Sequence, residues 1–361
     1  MKRILSCLLV LVMILAVLGG CQNQNVASSG TDIPDVNVPN VEPENTPEAT
    51  PEVTPEATPE PEPVEEPVTI RLGGLKGPTT MGMVKFLDDV EKGLSGVDCE
   101  FTLAANIDEV SPKLIKGELD IAAVPANLAS VVYNNTNGAI QLLAINTLGV
   151  TYILDTGDTV HSVEDLRGQT IYATGKGSVT EYTLKYVLES HGIVPDKDVT
   201  IEWKSEPTEV VALLKNGGGI AMLPQPFVTV AQGNVEGLRV ALSMVEEWNA
   251  LETDSQFVTG VLAVRRDFAE KYPQQLSAFL DEYKASIEYA NTNVAETALL
   301  VEQYDIVKAA VAEKALPNCN IAFFEGAEMK AVIEGYFEVL FAQNPASVGG
   351  TLPGDDFYYS R

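Results

Sequence analysis

The chain has 361 residues, with 51 Asp and Glu against 23 Lys and Arg, and a net charge of −28. No basic cluster stands out, which excludes a nucleic-acid partner, and an anionic membrane surface would repel the body. Two histidines and four cysteines leave little material for a first-row metal centre or a disulfide-stapled fold.

Lys2 and Arg3 open the chain, and Ile4 to Leu18 is apolar apart from Ser6. Leu18-Gly19-Gly20-Cys21 follows. Residues 1–20 read as a secretory signal, too short and wrongly flanked for a stable membrane span. The ending resembles a bacterial lipobox, which implies cleavage before Cys21 and lipid on that residue. The protein is then held to the extracytoplasmic face of the cell membrane. Residues 22–67 carry eleven acids, no Lys or Arg and no aromatic residue, with Thr-Pro-Glu repeats from Thr46 to Glu60. Such a segment buries too little apolar surface to offset chain entropy, so 21–67 reads as a lipidated cysteine followed by a disordered tether. Fully extended, it would reach on the order of 100 Å.

The body alternates strand and helix. Val68–Leu72 reads as a buried strand. Thr79 or Thr80 is placed to cap a helix with apolar positions Met83, Leu87, Val90 and Leu94. Phe101–Leu103 is a strand, Leu114-Ile115 lies on a helix stopped at Gly117, and Ile121–Val124 is a strand ended by Pro125. Ile140–Ile145 and Tyr152–Leu154 cross to a second lobe. There Ile171–Ala173 is a strand, Glu181–Ser190 a helix ended by Gly192, Val199–Trp203 a strand and Val210–Lys215 a helix. Ile220–Leu223 runs into Pro224-Gln225-Pro226. Val240–Leu242 and Gly260–Val264 lead back, and the remainder from Asp267 is mostly helical, clearest at Leu276–Asn291 and Glu328–Phe341.

The unit is made twice. Lys76-Gly77-Pro78-Thr79-Thr80 answers Lys176-Gly177-Ser178-Val179-Thr180 at an offset of 100, and Ile121-Ala122 with Pro125 answers Ile220-Ala221 with Pro224 at 99. Two similar lobes follow, with a cleft between them. The predicted fold is α/β, each lobe a mostly parallel sheet flanked by helices, joined by a two-strand hinge near Gly149–Thr151 and Thr259–Val261. Residues 68–148 plus 262–361 form one lobe and 149–261 the other. Cys99 and Cys319 fall in the same lobe, leaving open a disulfide or two buried thiols.

Leu75-Lys76-Gly77-Pro78-Thr79, Gly117-Glu118-Leu119-Asp120-Ile121-Ala122, Val124-Pro125-Ala126-Asn127, Asp165-Leu166-Arg167-Gly168 and Met222-Leu223-Pro224-Gln225-Pro226 carry a resemblance. The body resembles type II periplasmic binding proteins, the substrate-binding lipoproteins of bacterial ABC importers. Within them it resembles the branch that binds nitrate, sulfonates, taurine and thiamine precursors. The resemblance implies capture of a small solute and delivery to an ABC permease and its ATPase. It implies a monomer without cofactor or catalytic residues. Consistently, no nucleophile elbow, metal-spaced cluster or Walker loop appears.

In open α/β sheets, ligands sit beyond the carboxyl ends of the strands. The loops there contain Gly77, Pro78, Thr79 and Thr80; Pro125 and Asn127; Gly175, Lys176, Gly177, Ser178, Val179 and Thr180; and Pro224, Gln225 and Pro226. Asn146 joins them. Helix starts, glycines and hydroxyls supply donors, and the loops hold no acid up to Thr180. An anionic or zwitterionic organic solute suits them. Lys76 and Lys176 are each open to pairing with it or to solvent. The alternatives are a flat pyrimidine stacked on Tyr182 or Trp248, or a sensing lipoprotein without a transporter.

Overall fold

The computed structural model describes residues 67–104, 107–251 and 255–361. The signal segment, Cys21 and, apart from Pro67, the tether lie outside the described residues. The chain first makes β1 (Ile70–Leu75), α1 (Pro78–Met81), α2 (Val84–Glu91), β2 (Cys99–Ala104), α3 (Ile107–Ile115), β3 (Ile121–Pro125), α4 (Ala126–Asn135) and β4 (Ile140–Leu148). It crosses to β5 (Thr151–Asp155), β6 (Thr170–Ala173), α5 (Val179–Ser190), β7 (Thr200–Trp203), α6 (Pro207–Gly217), β8 (Ile220–Pro224), α7 (Phe227–Asn234), β9 (Arg239–Ser243) and α8 (Met244–Ala250). It returns as β10 (Val258–Arg265) and continues through α9 (Arg266–Lys271), α10 (Pro273–Thr292), α11 (Val294–Gln303), α12 (Ala309–Ala315), β11 (Ile321–Phe324) and α13 (Gly326–Gln343).

Two sheets result, a large one ordered β11-β4-β10-β3-β1-β2 and a small one ordered β7-β6-β8-β5-β9. In the large sheet β1 to β4 point one way, opposed by β10 and β11. In the small sheet only β5 opposes the rest. This is the two-lobed, mostly parallel α/β fold predicted. It follows from short apolar runs, buried on both faces, that end in a loop and a helix.

Two of the motif segments prove to hold the fold together. Asp120 is 2% exposed and accepts from the Arg71 backbone amide at 3.0 Å, Arg71 Nε at 2.8 Å and Arg265 Nη1 at 3.3 Å, and it also pairs with Arg71 Nη2. One carboxylate thus ties the starts of β1 and β3 to the end of β10. Asp165 accepts from the His161 and Ser162 amides, both at 2.9 Å, closing a capping box.

Three local expectations change. The helix after Thr79 is broken into α1 and α2, and neither threonine caps it. Gly82 sits at the break because a Cβ there would lie 2.8 Å from Ile321 and 3.0 Å from Ile287. α2 then ends at Glu91, so Leu94 lies beyond it and is 72% exposed rather than packed. Finally, the helical tail contains the strand β11, which covers the edge of β4. Cys99 and Cys319 are unpaired thiols, and burial pushes the pKa of each up to about 12.

The apolar core includes one cluster that runs from the large sheet (Ile145, Val261) through α13 (Ile333, Tyr336) to the small sheet (Ile153, Ala173). Trp248 of α8 is fully buried within it, with ring centroids 4.9 Å from Tyr186 and 5.2 Å from Tyr336. The Tyr336 hydroxyl meets Thr183 Oγ1 at 3.1 Å, so α13 is fastened to α5. Burial raises the Tyr336 pKa, and the hydroxyl keeps its proton.

Candidate ligand-binding site

The four loops begin where β1, β3, β6 and β8 end. Gly77 and Pro78 are buried at the start of α1. Thr79 is half-buried; its carbonyl accepts from Asn146 Nδ2 at 3.2 Å, and its methyl lies where a side chain on Gly260 would stand. Asn146 is 1% exposed, and its Oδ1 accepts from Thr147 Oγ1 at 3.1 Å. Pro125 ends β3 opposite Gly260 and stands at the N-cap of α4.

Asn127 joins the two lobes. It is 3% exposed, and its Nδ2 donates to Gly177 O at 3.3 Å in the facing loop and to Ser347 O at 3.2 Å. α4 carries no side-chain cap and no acid in its first turn. Its first amides have no intrahelical partners, and the helix presents partial positive charge at the junction of the two loops.

The facing loop is more self-contained. Ser178 Oγ donates to Gly175 O at 2.6 Å and accepts from the Thr180 amide at 3.3 Å, capping α5. Val179 is buried in the core, Thr180 is half-buried, and Lys176 is exposed. In the fourth loop the Gln225 backbone amide donates to Val150 O at 2.9 Å, and its Oε1 accepts from Thr229 at 3.0 Å. Pro224 pairs with Thr151, and Pro226 follows a cis bond into α7. Gln225 lines a groove of about 550 Å³ with Tyr152, Thr229, Lys314 and Asn318, in which none of the other three loops takes part.

The geometry revises two details and settles two that the sequence left open. Thr80 is fully buried, and its hydroxyl donates to Leu75 O at 2.5 Å, so its proton is committed within the loop. Glu181, the residue just past the acid-free stretch, folds back so that Gly177 N donates to its Oε2 at 2.6 Å. That carboxylate already occupies a donor expected to meet an anion, and it pairs with Lys185 at 2.6 Å. Burial works against the Lys185 charge, but Glu181 outweighs it and the pKa is raised. Lys76 points to Asp305 at 3.2 Å rather than to the loops. Trp248 has no open face for a flat ligand, and its Nε1 donates to Ser255 O at 3.1 Å.

Two residues were missed as binding candidates. Thr151 and Thr259 stand at the chain crossings, and the Oγ1 of each is buried without a hydrogen-bond partner among the described residues. The only signal was a threonine near each crossing glycine, Gly149 and Gly260. Among the described residues no group of three or more His, Cys, Asp or Glu is placed to hold a metal ion, and no helix is long and apolar enough to cross a membrane.

The fold has close relatives in shape. An ABC transporter protein from Parabacteroides distasonis superposes with a TM-score of 0.68 at 22% identity, over 81% of this chain and 99% of that one. The periplasmic aliphatic sulphonate binding protein of Escherichia coli gives 0.66 at 17% identity, over 82% and 93%. The periplasmic nitrate-binding protein of Synechocystis gives 0.53 at 16% identity, over 73% and 75%. No curated protein matches the chain by sequence. The family model for the phosphonate periplasmic substrate-binding protein of ABC transporters matches residues 78–314, about two thirds of the chain. With two lobes and a junction of strand-end loops between them, the chain belongs to that family of periplasmic ABC transporter substrate-binding proteins.

Proposed function

We propose that the protein is a lipid-anchored, extracytoplasmic binding component of an ABC importer. It captures a small organic anion of the phosphonate or sulfonate kind between its lobes and delivers it to the permease, which the ATPase drives. The observation that carries this is the uncapped start of α4 held against the facing loop by Asn127 and Gly177. A buried helix start of this kind favours an anionic group, by about 0.3–1 kcal/mol when exposed and more when desolvated. The lobes drawn at 68–148 with 262–361 and at 149–261 are the moving bodies, with the second boundary drawn back to Val258, where β10 enters the large sheet. The pyrimidine alternative loses one of its two stacking candidates, because Trp248 is enclosed by other rings, and rests on the half-buried Tyr182 alone.

Thermal denaturation of the full chain against alkylphosphonates, alkanesulfonates, nitrate, pyrimidines, divalent metals and polyamines tests the ligand class. At a hundredfold excess over Kd, an anion should add about 2.7 kcal/mol of stability. Stabilisation by a metal ion or polyamine alone would refute the reading.

The anchor has its own test. Cys21→Ala should release the protein from the membrane or leave its precursor uncut. Normal processing and membrane retention of the variant would show that no lipid is attached there.

A further inference from the structure

Gln225 opens onto a space that the cleft between the loops does not include. The groove of about 550 Å³ that it lines takes nothing from Gly77–Thr80, Pro125–Asn127 or Gly175–Thr180. One wall stands on the small sheet, with Tyr152 of β5, Val240 of the edge strand β9, and Val228 and Thr229 of α7. The other wall is Lys314 of α12 and Asn318 of the turn that follows. That segment packs into the core of the large sheet through Ala312, Ala315 and Leu316, and it leads into the edge strand β11. It is also tied to the chain crossing. Asn320 Nδ2 donates to Gly149 O at 2.5 Å, and the Tyr152 hydroxyl donates to Asn318 O at 3.2 Å, from one wall to the other. The groove therefore lies beside the crossing, on the side of the edge strands β9 and β11.

Its lining is selective in charge. In a chain of net charge −28, no Asp or Glu lines it, and its one charged side chain is Lys314. Lys314 is exposed and has no ion-pair partner among the described residues. Gln225 is 4% exposed. Its Oε1 is taken by Thr229, while its Nε2, a donor, meets no acceptor among the described residues. Val228 and Val240 add apolar surface. Gly233, also in the lining, keeps the space open. It lies near the end of α7, its φ is outside the left-handed region, and a Cβ there would meet nothing within 4 Å. Neither a turn nor close packing calls for glycine there, and glycine forms helix less well than alanine. What a larger side chain would take up is room in the groove.

We infer that this groove is a second binding site, separate from the cleft. It takes a small organic monoanion whose charged group meets Lys314 and Gln225 and whose apolar part lies against Val228 and Val240. A cation finds no counter-charge there, and a zwitterion leaves its ammonium unpaired.

The test is calorimetry on the full chain at neutral pH with four probes of one shape: benzoate, benzamide, benzylamine and 4-(aminomethyl)benzoate. Benzoate should bind about tenfold tighter than the amide or the zwitterion, the range of a charge-assisted hydrogen bond, and benzylamine should not bind. Lys314→Gln should bring benzoate down to the level of benzamide without moving the melting temperature, because the lysine is exposed and unpaired. Gly233→Leu should abolish binding of both, with the melting temperature kept or raised. Benzoate binding that survives both substitutions would place the anion elsewhere and overturn the second site, while the cleft reading stands. Loss in the leucine variant with no effect of Lys314→Gln would overturn the selection by charge. No measurable benzoate binding, or benzylamine binding as tightly, would overturn the proposal outright.

Discussion

Asp120→Ala should destabilise the fold by about 3–5 kcal/mol, the cost of removing one partner from a buried ion pair. The carboxylate is 3% exposed at its side chain, against 40% for Arg71 and 21% for Arg265. Its loss leaves two guanidinium groups near each other without their shared counter-charge. Arg71 is open enough to rehydrate, which places the effect toward the lower end. Asp120 also raises the Arg71 pKa, chiefly through its hydrogen bond, so the contact stabilises the charged form of Arg71. Urea denaturation should show a lower midpoint with an unchanged slope. Asp120→Asn keeps the shape and part of the bonding, and should lose less. A loss under about 1 kcal/mol for the alanine variant would mean that the network is ornamental.

Trp248→Ala should cost a further and separate 3–5 kcal/mol, roughly the loss expected for a large buried aromatic. The indole is wholly enclosed and packs against Tyr186, Phe257 and Tyr336, with centroids at 4.9, 6.1 and 5.2 Å. Those rings come from α5, from the approach to β10 and from α13, so the cavity would open where the two lobes and the C-terminal helix meet. Trp248→Phe retains an aromatic ring but loses the bond to Ser255 O, and should cost noticeably less. Equal losses for the two variants would place the effect in that hydrogen bond rather than in packing. Both are measured by the same denaturation series.

What was legible in the sequence was local. Ile121–Val124 before Pro125 and Ile220–Leu223 before Pro224 announce buried strands by composition, and both are strands. Gly117 and Gly192 mark helix ends by the positive φ they adopt, 73° and 69°. What was hidden depends on partners far along the chain. Asp120 meets Arg265, 145 residues away, and Asn127 meets Ser347, 220 away. Ile321–Phe324 is too short to stand out among helices and is a strand because β4 offers an edge. Glu181 lies one residue beyond the loop as drawn, and only the backbone path of Gly177 reveals that its carboxylate turns inward. The loops were placed by topology; which of their donors remain free was a matter of side-chain direction.

The fastening of α13 to α5 gives the cleft a sealed edge and a free edge. Pulling α13 away would wet Trp248, Phe257 and Tyr336, and break the pairing of Tyr336 with Thr183. At roughly 150–250 Å² per ring and about 25 cal/mol per Å², that costs on the order of 10 kcal/mol. A small solute does not supply so much on arrival. If the solute enters between the lobes as proposed, the α13 side is the door's hinge, and traffic in and out passes through the opposite jamb.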